Sequence, residues 1–330
     1  MTRWGFVATG RIARTVARDL ALVDGAVPFA VGSRSQRRAE AFAAEHGFSR
    51  AYGSYSELFE DPDVDVVYIA SPHGQHYRDV SAALDAGKPV LVEKAFTVSH
   101  AAAADLVARA RERGLFLMEA MWTRFLPVIM ELRHLVTSGA IGEVRAIDAD
   151  LGFRIEVDPR NRLWAPELGG GAVLDLGVYP VSFAHMLLGV PSSVAVTGSL
   201  GHTGVDADVG LLLGWADGAH ARLGCSLTSH VEGRAVVVGT HGRIEVPSPF
   251  HHPPHLVVHR RDAEPQVIEA PPLGRGYSHQ LAEVQRCLAE GRTESAVMPL
   301  DDTLAVMRTL QTALDVLGSK PVDEGFVRSG

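Results

Sequence analysis

Lys94 closes the apolar run Pro89–Glu93, and Tyr179 stands four residues after Asp175, behind the triplet Gly169-Gly170-Gly171. Amines, phenols and carboxylates are groups that pass or hold protons. Oxidising an alcohol requires a group that takes the hydroxyl proton, and the reverse reaction requires the same group as an acid. Lys94 falls at the C-terminal end of a strand-like run, where open α/β sheets bind their ligands. A lysine partly desolvated beside another positive charge loses basicity and can relay a proton at neutral pH. A surface lysine paired with Glu93 is the alternative. Asp175 and Tyr179, one helical turn apart, would face the same way. Pro180 offers a second geometry, because proline prefers the first turn of a helix. Tyr179 would then stand at a helix N-terminus, whose dipole favours a phenolate. Either geometry lets Lys94 and Tyr179 act as an acid–base pair, with Asp175 holding a substrate hydroxyl. The other reading of Tyr179 is a buried structural tyrosine.

Such chemistry also needs a hydride acceptor or donor. The first apolar run opens directly into Ala8-Thr9-Gly10-Arg11-Ile12-Ala13 and then a helical pattern. This is a G-x-G-x-x-A dinucleotide fingerprint with its first glycine replaced by Ala8. Gly10 lets the backbone approach a pyrophosphate, Ala13 allows close helix–strand packing, and the helix N-terminus attracts phosphate. At the end of the second run, an acidic residue would hold the 2′-hydroxyl of NAD. Here stand Ser33, Arg34, Arg37 and Arg38. A small hydroxyl and several guanidiniums suit a 2′-phosphate, and Arg34 could also stack on adenine. NADP is the expected cofactor.

Trp122, Arg124, Phe153 and Trp164 read as substrate-pocket or nicotinamide-face residues, since aromatic platforms suit the apolar face of a sugar or an aryl diol. Each could equally be core. The segment His251-His252-Pro253-Pro254-His255 with His259 lacks fixed ligand spacing, and its prolines suggest an exposed loop; no metal is expected.

The elements that must position these residues are legible as two patterns. Up to about residue 120, the runs Gly5–Ala8, Pro28–Gly32, Val64–Ser71, Pro89–Glu93 and Leu115–Glu119 alternate with helix-forming stretches. The runs are continuously apolar, as strands covered on both faces should be. Ser35 can cap a helix running to Gly47, Ser54-x-x-Glu57 reads as a capping box, and Ser99 opens a helix that stops at Gly114. Alternating strands and helices mean βαβ units and a doubly wound parallel sheet. After Trp122 a helix from about Pro127 to Ser138 leads into β-like segments around 143–153, 193–200, 208–216, 219–228, 234–239 and 243–246. Ala216-Asp217-Gly218 and His241-Gly242 join neighbours as hairpins. The tail from Ser278 is helical and ends with Pro299–Leu317. The fold class is therefore α/β: a dinucleotide-binding domain over residues 1–121, then a sheet-rich α+β domain over 122–330.

Composition bounds the rest. Apolar residues make up 46 % and charged residues 21 % of 330 residues, which suits two folded cores. A net charge of −8 argues against nucleic acid or an anionic membrane as partner. Two cysteines, Cys225 and Cys287, form no disulfide framework. No signal peptide and no apolar run of spanning length is evident, so a cytoplasmic location is expected.

The fingerprint at Ala8–Ala13, Ser71-Pro72-His73-Gly74-Gln75-His76, Glu93-Lys94-Ala95 and Gly169-Gly170-Gly171-Ala172-Val173-Leu174-Asp175-Leu176-Gly177-Val178-Tyr179 occur in order. In these the chain resembles the glucose–fructose oxidoreductase/inositol dehydrogenase (Gfo/Idh/MocA) superfamily. Met118–Phe125, Asn161-Arg162-Leu163-Trp164 and Gly291–Ser295 look most like the dimeric dihydrodiol dehydrogenase and NADP-dependent D-xylose dehydrogenase branch. The resemblance implies a Rossmann domain, an open-faced, mostly antiparallel sheet domain, a cofactor cleft between them, and a last helix (about 299–317) packed back on the first domain. It implies that Ser71, Pro72, His73 and His76 lie along ribose and nicotinamide, with Glu93 and Lys94 beside the nicotinamide. Ala95 stands where relatives usually carry proline, which leaves the charged pair intact and bears on the local turn.

The expected activity is NADP(H)-dependent hydride transfer to or from a hydroxyl or carbonyl carbon of a sugar or diol. The alternatives are a reductase of a nucleotide-linked keto-sugar and a non-catalytic NADP sensor, which would need neither proton donor. Val209–Trp215 and Ala235–Val238 carry more apolar residues than an exposed sheet face should. With the resemblance, this points to a homodimer or a dimer of dimers.

Overall fold

The computed structural model describes residues 1–326. By chain contacts it divides into two compact units. One comprises Met1–Trp122, Leu273–Thr303 and the residues from Asp323, and the other Thr123–Pro272 and Leu304–Val322.

The first unit begins with β1 (Thr2–Val7), α1 (Arg11–Leu20), β2 (Ala26–Gly32), α2 (Gln36–His46), β3 (Arg50–Tyr52), α3 (Tyr55–Glu60), β4 (Val66–Ile69), α4 (His73–Asp85), β5 (Val90–Glu93), α5 (His100–Arg113) and β6 (Leu117–Ala120). Its six strands lie in the order β3-β2-β1-β4-β5-β6, and every neighbouring pair is parallel. This is the doubly wound order that reverses direction between β1 and β4. Each of β4, β5 and β6 is buried at every residue, because helices cover both faces and leave no polar side to the strands. Five strands were legible as apolar runs. The sixth, β3, has only Arg50-Ala51-Tyr52 at a sheet edge and offers no such run, so Lys94, which closes the fourth of the apolar runs, follows the fifth strand.

The helix ends follow local chemistry. Ser54 and Glu57 form a reciprocal capping box on α3. On α5, the Ser99 hydroxyl accepts from the Ala102 N–H and Gly114 closes the helix in the left-handed region. Ser35 starts α2 as expected, but its side chain makes no capping hydrogen bond.

The second unit holds α6 (Pro127–Thr137), β7 (Val144–Gly152), α7 (Val178–Leu188), β8 (Ser193–Leu200), β9 (Asp206–Gly214), β10 (His220–Ser226), β11 (Ala235–Gly239), β12 (Gly242–Val246), β13 (Leu256–Arg260) and β14 (Gln266–Ile268). The sheet order is β14-β13-β12-β11-β7-β10-β9-β8. All pairs are antiparallel except β7 with β10. Alternation decides which face is core: Val209, Leu211 and Leu213 are buried, whereas Gly210 and Gly214 are half-buried and Leu212 is exposed. The apolar run in β9 is thus mostly core, and the outer face carries Leu212, Val236 and Val238 beside glycines and the Arg222–Asp148 ion pair.

The chain then returns to the first unit in α8 (Tyr277–Ala289). Asp19 on α1 accepts the backbone N–H groups of Arg275 and Tyr277 at 3.0 and 2.9 Å. Helix α9 (Leu300–Leu317), expected to lie on the first domain, groups with the second unit from Leu304 onward. Met307, Leu310, Ala313 and Leu314 are buried there, and Thr309 Oγ1 is 3.0 Å from His185 Nε2 of α7. The first turn of α9, Leu300–Thr303, groups with the first unit, as α8 does.

One run, Pro166–Leu188, is long and apolar enough by composition to cross a membrane, with a mean hydropathy of 1.4, which corrects the expectation that none is. Its 18-residue window is 83 % buried inside the protein, as the core helix of the second unit should be.

Candidate active site

The dinucleotide fingerprint folds as a strand–loop–helix turn. The Ala8 N–H donates to Gly32 O at 3.0 Å, tying the end of β1 to the end of β2. Ala8 has φ +75°, the left-handed region that the missing glycine would occupy without a Cβ clash. Gly10 differs. Its φ of −73° and ψ of −177° are open to any residue, and an added Cβ would meet nothing within 4 Å. Nothing among the described residues requires glycine there, and the space beside it is open to an approach such as a pyrophosphate would make. The first turn of α1 carries no acidic residue and no side-chain cap, leaving its N–H groups to an anion. Ala13 is fully buried, Thr9 and Ile12 are half-buried, and Arg11 is exposed. These residues fit a dinucleotide.

At the end of β2, Ser33 is buried and its N–H donates to Tyr52 O. Arg34, Arg37 and Arg38 are exposed and form no ion pair among the described residues. Their neighbours in the first unit do otherwise: Arg3, Arg14, Arg50, Arg78, Arg109, Arg111 and Arg113 each face a carboxylate. Burial raises the Tyr55 phenol above its ordinary range, Asp79 adds to this, and Arg34 and Arg38 pull it back. The three guanidiniums leave positive charge uncompensated at the place that selects between the two dinucleotides.

Strand β5 delivers Glu93 and Lys94 into a turn fixed at every residue. Tyr68 OH donates to Glu93 Oε1 at 2.5 Å, and Glu93 is buried. His73 Nε2 lies 2.9 Å from the Lys94 carbonyl oxygen. The Lys94–Ala95 peptide is cis, with alanine where proline was the usual residue. His76 sits between Ala95 O at 2.9 Å and Ser71 O at 2.8 Å. It is fully buried, and burial holds its pKa below the ordinary value against the raising effect of those carbonyls. The Phe96 N–H donates to Glu119 Oε1 at 3.1 Å. Thus His73 and His76, which the resemblance aligns along a cofactor, grip main-chain carbonyls around Lys94, while Pro72 caps α4 beneath them. The sequence has three lysines. Lys88 is buried with its Nζ donating to Asp61 O and Val64 O, whereas Lys94 is half-buried at its strand end.

In the second unit, the glycine triplet precedes a helical run that begins well before Pro180. Gly169 is left-handed, and Gly171 has φ +122° with the Asp206 carboxylate where a Cβ would be. Asp206 is fully buried; it accepts the Val173 N–H at 2.6 Å and the Ser319 hydroxyl at 2.9 Å. Burial raises its pKa, against those hydrogen bonds. Val173–Gly177 form a π turn that runs into α7. A proline inside a regular α-helix meets the carbonyl four residues back, and a wider turn just before it relieves that clash. Tyr179 therefore lies within a continuous helical run, and the alternative of a helix starting at Pro180 is excluded. Asp175 is 8 % exposed and paired with Arg162 NH1 at 3.0 Å. The Tyr179 ring lies 4.9 Å from the His251 ring, tilted by 44°, and the His251 carbonyl takes the Thr123 hydroxyl at 2.7 Å.

The remaining candidates divide. Arg124 is 2 % exposed, and its Nε donates to Ser182 Oγ at 3.0 Å. Trp164 is fully buried, with its ring 2.6 Å from where a Cβ on Gly201 would stand. Trp122 stacks on Tyr277 with ring centroids 4.4 Å apart, and Phe153 is 43 % exposed. Lys94 belongs to the first unit and Asp175 and Tyr179 to the second. Glu119 and Asp206 show in the sequence only as carboxylates among apolar residues, Arg162 only within a motif, and His251 only in a histidine segment read as an exposed loop.

Residues 2–121 match a family described as "Oxidoreductase family, NAD-binding Rossmann fold", and residues 129–245 match the GFO/IDH/MocA C-terminal domain. The chain is 38 % identical over 329 residues to trans-1,2-dihydrobenzene-1,2-diol dehydrogenase of Mus musculus, covering 96 % of this chain and 97 % of that protein. The chain belongs to the Gfo/Idh/MocA oxidoreductase family. Among solved structures, it is similar to an aldose-aldose oxidoreductase from Caulobacter crescentus complexed with glycerol (TM-score 0.86, 25 % identity, 94 % of this chain and 96 % of that one). A 3-ketoreductase from Actinomadura kijaniata in complex with NADP and TDP-benzene gives a TM-score of 0.83 at 27 % identity over 95 % and 97 % of the two chains. The protein is thus an NAD(P)-binding oxidoreductase, with the Rossmann unit and sheet unit expected from its sequence.

Proposed function

We propose that this oxidoreductase is an NADP(H)-dependent dehydrogenase or reductase of vicinal diols and sugars. In this reading Lys94 and Tyr179 relay the proton, and Asp175 holds a substrate hydroxyl. The observation that carries it is the turn Glu93–Phe96, which presents Lys94 at the carboxyl end of β5 with three buried side chains, His73, His76 and Glu119, holding its backbone. A general acid has to be held within hydrogen-bond reach of the atom it serves, and a main chain fixed on both sides of Lys94 supplies that restraint. When bound, the nicotinamide gives or takes the hydride. The Lys94 amine and the Tyr179 phenol move the hydroxyl proton, and the Arg162 guanidinium keeps the Asp175 carboxylate oriented. Arg34 and Arg38 would hold a 2′-phosphate. The likeness to a ketoreductase with a TDP ligand favours, as a second reading, reduction of a nucleotide-linked keto-sugar. We also propose that the outer face of the second unit's sheet pairs two copies.

A panel of aldoses, vicinal diols and nucleotide-linked keto-sugars, followed at the nicotinamide absorbance with NADP(H) and NAD(H), tests the proposal. NADP(H) should bind at least about tenfold tighter, the worth of one charge-assisted contact at roughly 1.4 kcal/mol. Equal affinities would refute the cofactor choice. Tight NADP binding with no turnover of any compound would favour a sensor.

A further inference from the structure

We propose that Glu119 is a positioning residue for Lys94, setting the turn that carries the amine without touching substrate or cofactor. This rests on the reading of Lys94 as a proton carrier.

Glu119 lies on β6, in the neighbouring strand to β5, with the register Val92↔Glu119 and Glu93↔Ala120. Its side chain is fully buried, where a carboxyl group is rare unless its oxygens are answered. Both are. Oε1 accepts the Phe96 N–H at 3.1 Å, and Oε2 accepts the Thr303 hydroxyl at 3.2 Å. Phe96 stands two residues after Lys94, and its own ring is fully buried. The carboxyl thus reaches across one strand spacing to take a main-chain N–H that has left the sheet ladder. An apolar side chain of the same size would leave that N–H buried without an acceptor.

The other fixings of the turn come from a different element. His73 and His76 on α4 hold the carbonyls of Lys94 and Ala95, whereas Glu119 holds the N–H that follows. Carbonyls gripped by α4 and an amide gripped by β6 leave the segment between them little freedom to rotate. Displacing an acting group by about 1 Å can cost about a hundredfold in rate, so a buried carboxyl that fixes this turn governs turnover while leaving cofactor contacts alone.

The test uses the full chain with Glu119→Gln and Glu119→Met. Gln keeps a carbonyl oxygen for Phe96; Met has similar length and no such acceptor. Amide hydrogen exchange over residues 94–98 is read by mass spectrometry, with residues 4–7 of β1 as internal control. Exchange at 94–98 should rise at least about tenfold in the Met variant and stay within about threefold in the Gln variant, with β1 unchanged in both. With NADP and trans-1,2-dihydrobenzene-1,2-diol as probe, kcat should fall at least about tenfold in the Met variant, with KM for NADP within about threefold, and the Gln variant should recover it. Unchanged exchange at 94–98 in the Met variant overturns the proposal. So does raised exchange with unchanged kcat, or a Gln variant as impaired as Met. Should the Met variant not fold, Glu119→Asp, which withdraws the carboxyl from the Phe96 N–H by one methylene, carries the same readouts; a kcat and exchange identical to the parent then overturn it. Lys94→Met assayed alongside separates the two ideas. If that variant retains turnover, the proton role of Lys94 fails, whereas the exchange result still decides whether Glu119 sets the turn.

Discussion

Replacing Ala8 by glycine should stabilise the protein, although it removes a methyl group from a loop beside the first strand. Ala8 is held at φ +75°, where a side chain's Cβ crowds the following carbonyl at a cost of about 1–2 kcal/mol. Glycine avoids that clash but brings a more flexible unfolded chain, which returns about 0.5–1 kcal/mol. The backbone hydrogen bond from Ala8 N–H to Gly32 O at 3.0 Å is unaffected. The difference leaves a net gain of about 0–1.5 kcal/mol, with a middle value that raises the melting temperature of the unit carrying the loop by roughly 1–3 °C. Gly10→Ala is the control. With φ −73° and no atom within 4 Å of the new Cβ, it should leave thermal stability unchanged or slightly raised and weaken NADP binding at least about tenfold, because the methyl would occupy the approach to the phosphates. Thermal melts by circular dichroism, with urea titrations and cofactor fluorescence quenching, make the comparison. An Ala8→Gly variant that melts lower than the parent, or a Gly10→Ala variant that loses stability and keeps its affinity, would refute the reasoning.

Lys94→Met and Tyr179→Phe should each lower kcat at least about a hundredfold and combine less than additively, as groups of one relay do; steady-state kinetics on any turned-over substrate check this. NADP affinity of Tyr179→Phe should stay near that of the parent. Asp206→Ala removes the acceptor of the buried Val173 N–H and the Ser319 hydroxyl and should cost about 2–4 kcal/mol in urea unfolding. Because burial holds His76 below its ordinary pKa of 6.5, both folded and unfolded chains are neutral there above that pH. Below it only the unfolded chain takes the proton. Stability should therefore fall as the pH drops through 6.5, with His76 adding a slope of at most about 1.4 kcal/mol per pH unit that His76→Gln removes. Light scattering at micromolar concentration should give a dimer; a monomer would contradict pairing through the sheet.

Much of the arrangement around the chemistry was legible because it is local. The βαβ alternation and the capping box at Ser54 depend on nearest neighbours and on period, which a linear chain displays. So do the fingerprint loop and the strand-end position of Lys94. Strand β3 escaped because three residues at a sheet edge carry no period. The two-unit plan was legible, but not that α8 rejoins the first unit while most of α9 belongs to the second. An amphipathic helix advertises that it has a buried face without saying whose.

The sequence by itself determined the fold class, the nucleotide loop and the identities of the acid–base candidates, since these follow from residue types at short spacing. Tertiary structure alone decided what each of them touches. Arg124 and Trp164 read as binding residues, and packing buried them against Ser182 and Gly201. His73 and His76 became clamps on the carbonyls beside Lys94, and Glu119 and Asp206 became acceptors for backbone N–H groups far away in the chain. The physical reason is that a buried polar group must find its partner across the core, and that partner is set by how strands and helices stack.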